Sequence, residues 1–148
     1  MKPRQALPQI RPIVMNDAQV VDLVNAAIAA SHNAYTPYSH YPVGAALRAT
    51  DGRIFSGCNV ENAAYPATIC AERTALVKAV SEGVRTFDAL AVLTETAGSP
   101  CGVCRQMLYE FAPDLRVIIA DMSGRVHHIT TLRDLLPLGF GPSDLRGG

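Results

Sequence analysis

The stretch Phe87-Asp88-Ala89-Leu90-Ala91-Val92-Leu93-Thr94 decides the architecture. Its nearly continuous apolar run has the length of a strand and lacks the alternation of one with a wet face. It reads as a strand buried on both sides, which calls for a covering layer above and below. A helical pattern precedes it over residues 70–82 and stops at Gly83, a residue suited to a helix C-cap. The interior of that helix (Ala75, Leu76, Val77, Ala79, Val80) is apolar over more than half its circumference, so we expect it to be covered on several sides. A second helix follows the strand, with Ser99 as cap, Pro100 at the first helical position and a stop before Pro113.

Working outward, Asn16 or Asp17 caps a helix over residues 17–32, with Val20, Val21, Leu23, Val24, Ala27 and Ile28 on its apolar face. Residues 35–42 form a loop with two prolines and three tyrosines, and 43–49 read as a strand. Asp51-Gly52 is a hairpin turn signal of the kind in which both central residues take positive φ, and 53–61 is the returning strand. Alternation along that strand turns Asn59 and Glu61 to one side and Cys58 to the other. Strands follow at 115–120 and 126–130 around a Ser123-Gly124 turn, then a short helix at 132–136. This order predicts an α/β protein, a three-layer α/β/α sandwich around a mixed five-stranded sheet. Segments 59–87 and 87–115 are then strand–helix–strand crossovers, and both helices begin where ligand crevices form in open α/β sheets.

The 148 residues fit one domain over 16–148, after a flexible extension over 1–15 that contains three prolines. Formal net charge is zero, so no electrostatic attraction to nucleic acid or to an anionic membrane follows from composition. No stretch approaches the roughly 20 apolar residues of a membrane span, and the first residues do not read as a secretory signal. We therefore expect a cytoplasmic protein whose four cysteines stay reduced. Such cysteines serve as ligands, nucleophiles or core residues.

Two segments carry the chemistry: Cys70-Ala71-Glu72 and Pro100-Cys101-Gly102-Val103-Cys104. A lone C-x-x-C fits a redox pair or half a structural zinc site. Cys70 and Glu72 at a second helix start favour a catalytic zinc site with three protein ligands, which leaves a fourth position open. Helix N-termini stabilise thiolates, and Cys101 and Cys104 share one helix face. A closed four-cysteine site would need Cys58, which we expect to be a small buried core residue instead. Three thiolates on Zn²⁺ leave a negative centre, and Arg73 is placed to offset it beside the ligand sulfurs. Glu72 is the candidate proton carrier. Asn59 and Glu61 suit vicinal hydroxyls, and Tyr38, Tyr41, Tyr65 and Phe140 offer flat surfaces for a ring. The four histidines (His32, His40, His127, His128) read as surface residues.

Val43-Gly44-Ala45-Ala46-Leu47, Gly57-Cys58-Asn59-Val60-Glu61-Asn62-Ala63, Cys70-Ala71-Glu72-Arg73-Thr74-Ala75 and Pro100-Cys101-Gly102-Val103-Cys104-Arg105-Gln106 closely resemble the zinc-dependent cytidine deaminases that act on free nucleosides. Leu135-Leu136-Pro137 and Phe140-Gly141-Pro142 also fit, and the match runs from about residue 16 to 145. The resemblance implies one Zn²⁺ per subunit on Cys70, Cys101 and Cys104, with Glu72 shuttling protons. It implies that Asn59 and Glu61 hold the sugar hydroxyls and that the Ala71 backbone helps fix the pyrimidine. It further implies a homotetramer with shared sites, to which Tyr65 and Phe140 come from neighbouring subunits.

Two features depart from that pattern. Tyr41 stands where Phe is common beside the substrate, and the segment between Thr94 and Pro100 is shorter than in some members. Rival readings are a deaminase of a larger cytosine compound such as blasticidin S, a polynucleotide editor disfavoured by neutral charge, and a zinc-stabilised binding module without catalysis.

Overall fold

The computed structural model describes residues 16–145, so the expected extension over 1–15 and the last three residues lie outside the described residues. Helix α1 (Asp17–Ser31) starts where the Asn16 side chain accepts a hydrogen bond from the Gln19 N–H. Strands β1 (Gly44–Ala49) and β2 (Ile54–Cys58) form the hairpin, followed by a 3₁₀ turn at Tyr65–Ala67 that the sequence reading missed. Helix α2 (Ala71–Ser81) leads to β3 (Phe87–Thr94), then α3 (Gly102–Phe111) to β4 (Arg116–Asp121). Strand β5 (Val126–Thr131) and the short helices α4 (Leu132–Leu135) and α5 (Pro142–Leu145) complete the described chain.

The sheet runs β2-β1-β3-β4-β5. β3 pairs with β4 in parallel, and the other neighbours are antiparallel, so the sheet is mixed as expected. Alternate residues of the central strands feed two separate cores. Leu90 and Val92 join Leu47, Val117 and Ile119 under α2 and α3, whereas Ala89, Ala91 and Leu93 meet Leu23, Val24 and Ala27 of α1. A strand fully buried on both faces is the physical reason its sequence shows no alternation. Among the described residues no helix is long and apolar enough to cross a membrane.

Local expectations needed four corrections. At the hairpin only Gly52 has positive φ (94°); Asp51 does not, because Thr50-Asp51-Gly52 form a three-residue loop closed by Ala49 N–H to Arg53 C=O. Cys101, not Ser99, caps α3, and the Ser99 hydroxyl accepts from Arg105 instead. Cys58 is half-buried rather than a core residue, since its face of the edge strand β2 is only partly covered. Strand β2 stops at Cys58, short of the expected 61, because the chain leaves the sheet there; helix α2 packs on the sheet and against α3 and leaves Val77 44% exposed.

Two strand glycines set how closely the helices approach. A Cβ on Gly44 would lie 1.9 Å from the Ala27 carbonyl oxygen of α1. One on Gly57 would lie 2.6 Å from the Ala75 nitrogen and 2.7 Å from the Ala71 oxygen of α2. Both obstacles are backbone, which cannot rotate aside. Gly57→Ala is expected to push the start of α2 off the sheet, costing about 1–3 kcal/mol as overpacking. Because Cys70 rides on that helix start, zinc affinity should fall with it; a thermal melt and a zinc titration check both.

Candidate active site

Cys70 is the N-cap of α2 and Cys101 the N-cap of α3, each just beyond the carboxyl end of a strand. Cys104 lies one turn into α3 and is fully buried. The Cys70 and Cys101 sulfurs are 3.9 Å apart, and those of Cys101 and Cys104 are 3.5 Å apart. Zn–S bonds of about 2.3 Å at tetrahedral angles put sulfurs about 3.8 Å apart. Two of the three separations match that spacing, and all three sulfurs lie within 4.8 Å of one another, so the triad suits a zinc ion; among the described residues no other group of His, Cys, Asp and Glu gathers this way.

Arg73 donates from Nη2 to the Thr68 carbonyl (3.2 Å) and to Cys70 Sγ (3.6 Å). Its Nε is buried with no hydrogen-bond partner among the described residues. The Cys70 thiol is lowered to about 5, chiefly by the hydrogen bond from Cys104, then by Arg73 and Cys101, with burial opposing them. Cys104 moves the opposite way, because it donates to Cys70 and is desolvated. Three sulfurs converging beside a guanidinium form the donor set a soft divalent metal prefers, each binding it as a thiolate.

Glu72 sits in the first turn of α2 and is only 4% exposed. Burial pushes its carboxyl up to about 7; its own backbone N–H and Arg73 pull down, and Cys70 pushes up. A carboxyl poised near neutrality can both take and give a proton. It lines a cavity of about 260 Å³ with Cys70, Cys101, Tyr41, Asn59 and Glu61. Asn59 and Glu61 lie beyond the end of β2, so strand alternation does not place them, yet both line this cavity.

Asn59 and Glu61 are also structural. Asn59 donates from Nδ2 to the Tyr41 carbonyl and accepts at Oδ1 from the Val43 N–H, both at 2.9 Å. Glu61 Oε1 accepts from the N–H groups of Tyr38 (3.2 Å) and Ser39 (3.1 Å). Desolvation is the largest single influence on the Glu61 carboxyl and raises it, but hydrogen bonds from Ser39 and Tyr38 and the nearby His40 together outweigh it and hold the group below its ordinary value. Each side chain keeps free capacity: Asn59 one donor and one lone pair, Glu61 its Oε2.

Not every expected residue meets this cavity. Tyr65 (70% exposed) and Phe140 (57% exposed) lie outside its lining, as do the buried Ala71 and Cys104 and the half-buried Arg73. The Tyr65 ring meets Tyr38 edge-on at 5.7 Å. The Phe140 carbonyl accepts from Gln106 of α3, which fixes the backbone and leaves the ring outward. The histidines stay apart from the triad; His127 pairs with Asp121 at 2.6 Å. Thr68, Thr94 and Ser99 line the cavity without having been singled out. Thr94 had a readable signal, a polar residue closing an otherwise apolar buried strand.

Residues 17–120 match the family model described as the cytidine and deoxycytidylate deaminase zinc-binding region. A cytidine deaminase of Sporosarcina psychrophila is 53% identical over 78% of this chain and 87% of its own length. The crystal structure of a cytidine deaminase from Burkholderia pseudomallei superposes with a TM-score of 0.78, at 48% identity, covering 85% of this chain and all of that one. A blasticidin-S deaminase of Bacillus cereus matches less closely, at 33% identity over 82% of this chain and 92% of its own length. With the zinc-binding region spanning most of its length, on the fold of its relatives, the chain belongs to the cytidine and deoxycytidylate deaminase family.

Proposed function

We propose that this chain hydrolyses free cytidine and 2′-deoxycytidine to uridine and 2′-deoxyuridine, releasing ammonia, as a step of pyrimidine salvage in the cytoplasm. The observation that carries this reading is one cavity lined by Cys70 and Cys101 of the three-sulfur cluster, by the buried Glu72 with its carboxyl near 7, and by Asn59 and Glu61, which suit sugar hydroxyls. Asn59 and Glu61 favour an ordinary nucleoside over blasticidin S, because their free acceptors and donor suit a ribose. The neutral net charge favours a small substrate over a polynucleotide.

Cys70, Cys101 and Cys104 hold the zinc, and Arg73 balances their charge. Bound zinc supplies an activated water as nucleophile near neutral pH. Glu72 would accept a proton from the attacking water as the water oxygen bonds to ring carbon 4. Glu72 then delivers the proton to ring nitrogen 3, which receives the electron pair of the broken carbon–nitrogen π bond. The remaining hydroxyl proton returns through Glu72 to the amino group, which departs as ammonia while the carbonyl of uridine forms. One carboxylate serves each transfer because every acceptance makes it the next donor.

The single-chain cavity is small for a drug-sized ligand, whose pockets run about 300–1,000 Å³, and Tyr65 and Phe140 present rings to the outside. Exposed Val77 on α2, together with these rings, supports a homotetramer in which Tyr65 and Phe140 complete a neighbour's site, Phe140 by stacking on the base.

The deciding measurement is the loss of cytidine absorbance by zinc-loaded protein, with and without a chelator. Activity should disappear on zinc removal and return on its addition; a zinc-replete sample inert toward cytidine would overturn the reading. Glu72→Gln should retain zinc while turnover falls by about two to four orders of magnitude, the worth of a positioned acid/base. Phe140→Ala should raise KM with zinc content unchanged. A crystal structure of the assembled protein in which Phe140 is remote from every zinc would remove the shared-site part of the proposal.

A further inference from the structure

Two loops that contribute to the cavity wall are tied to each other. The Tyr41 hydroxyl and the Thr96 Oγ1 share a hydrogen bond of 2.8 Å, joining residues 35–43 to the segment after β3. Tyr41, Gly98 and Ser99 line the cavity, whereas Thr96 does not. The second segment is held from within: the Gly98 N–H donates to Thr94 Oγ1 at 2.5 Å, and Ala97 sits at a φ of 53°, which alanine rarely adopts. A Cβ on Gly98 would lie 3.4 Å from the Tyr41 hydroxyl, so the segment passes that ring at contact distance. Farther on, Arg105 binds the Ser99 hydroxyl and the Pro100 carbonyl, which precede the ligand Cys101.

The other end of the strap is equally fixed. The Tyr41 carbonyl accepts from Asn59, and its N–H donates to the Ser39 hydroxyl. Hydrogen bonds therefore run from Asn59 through Tyr41 to Thr96, across the edge of the cavity. Among the described residues neither hydroxyl of the Tyr41–Thr96 pair hydrogen-bonds to Glu72 or to the cysteine triad.

Resting on the nucleoside reading above, we propose that Thr96 is a positioning residue: it holds the Tyr41 hydroxyl so that Tyr41 presents a fixed ring, and no hydrogen bond, to the nucleoside. The pair then acts on substrate retention and leaves the proton transfers of Glu72 and the metal site untouched. Its influence belongs in KM.

The test is steady-state cytidine kinetics and zinc content of the full chain carrying Thr96→Val, Tyr41→Phe, both, or Thr96→Ser. Loss of one net hydrogen bond predicts that Thr96→Val and Tyr41→Phe each raise KM by about 2- to 12-fold, with kcat and zinc unchanged. The double variant should be no worse than either single one, because both remove the same bond. Thr96→Ser, which keeps the hydroxyl, should behave as wild type. A raised KM in Tyr41→Phe alone would mean that the tyrosine hydroxyl meets the substrate directly, and overturns the proposal. Multiplying effects in the double variant, an unchanged KM in both single variants, or joint loss of kcat and zinc in Thr96→Val would overturn it too. Failure of the nucleoside reading is separate and visible first, as zinc-loaded wild type inert toward cytidine, and it removes this proposal as well.

Discussion

The close seating of α2 and α3 on one face of the sheet is the constraint on which the site depends. Three sulfurs can converge to within 4.8 Å of one another only if two helix starts, separated in sequence by a whole crossover, end up side by side. Parallel pairing of β3 with β4 fixes the spacing of the crossovers, and the apolar faces of Leu76, Ala79 and Leu108 fix how far each helix stands off the sheet. A displacement of 1 Å at either helix start would spoil a tetrahedral donor set, so metal binding and core packing are parts of one requirement. Zinc, once bound, ties the two helix starts together and in turn stabilises the layer that positioned it.

The local electrostatics follow from the same convergence. Bringing three thiols and a carboxyl together out of water is unfavourable unless charge is shared. Here Cys70 takes the negative charge, Cys104 donates to it, and Arg73 lies alongside at 3.6 Å. Glu72, two residues after Cys70, inherits an environment that resists ionisation. The buried Arg73 Nε without a partner is the one element of this arrangement for which the described residues offer no physical account.

Most of the architecture was legible because periodicity and burial agree in the central elements. The run Phe87–Thr94 had to be a doubly covered strand, and the helices on either side had to lie over it. The sequence was less informative where several local solutions share one composition. Asp51-Gly52 is compatible with a two- or a three-residue hairpin, and only the pairing of Ala49 with Arg53 selects between them. Ser99-Pro100 is a good helix start in isolation, yet the Arg105 side chain draws the Ser99 hydroxyl away and the helix begins later. The gathering of the three cysteines was suggested by two cysteine-bearing helix starts taken together with the family resemblance. The strap from Tyr41 to Thr96 was not, since its partners are 55 residues apart and neither is unusual by itself.

Asn59 and Glu61 have a consequence beyond their chemistry. Each is already pinned by two hydrogen bonds to the backbone of residues 38–43, so neither has rotamers left to surrender when a ligand arrives. Immobilising a free polar side chain costs about 0.5–1.5 kcal/mol of entropy at the moment of binding. In this chain that ordering is completed during folding, and a sugar entering the cavity meets groups whose directions are already set.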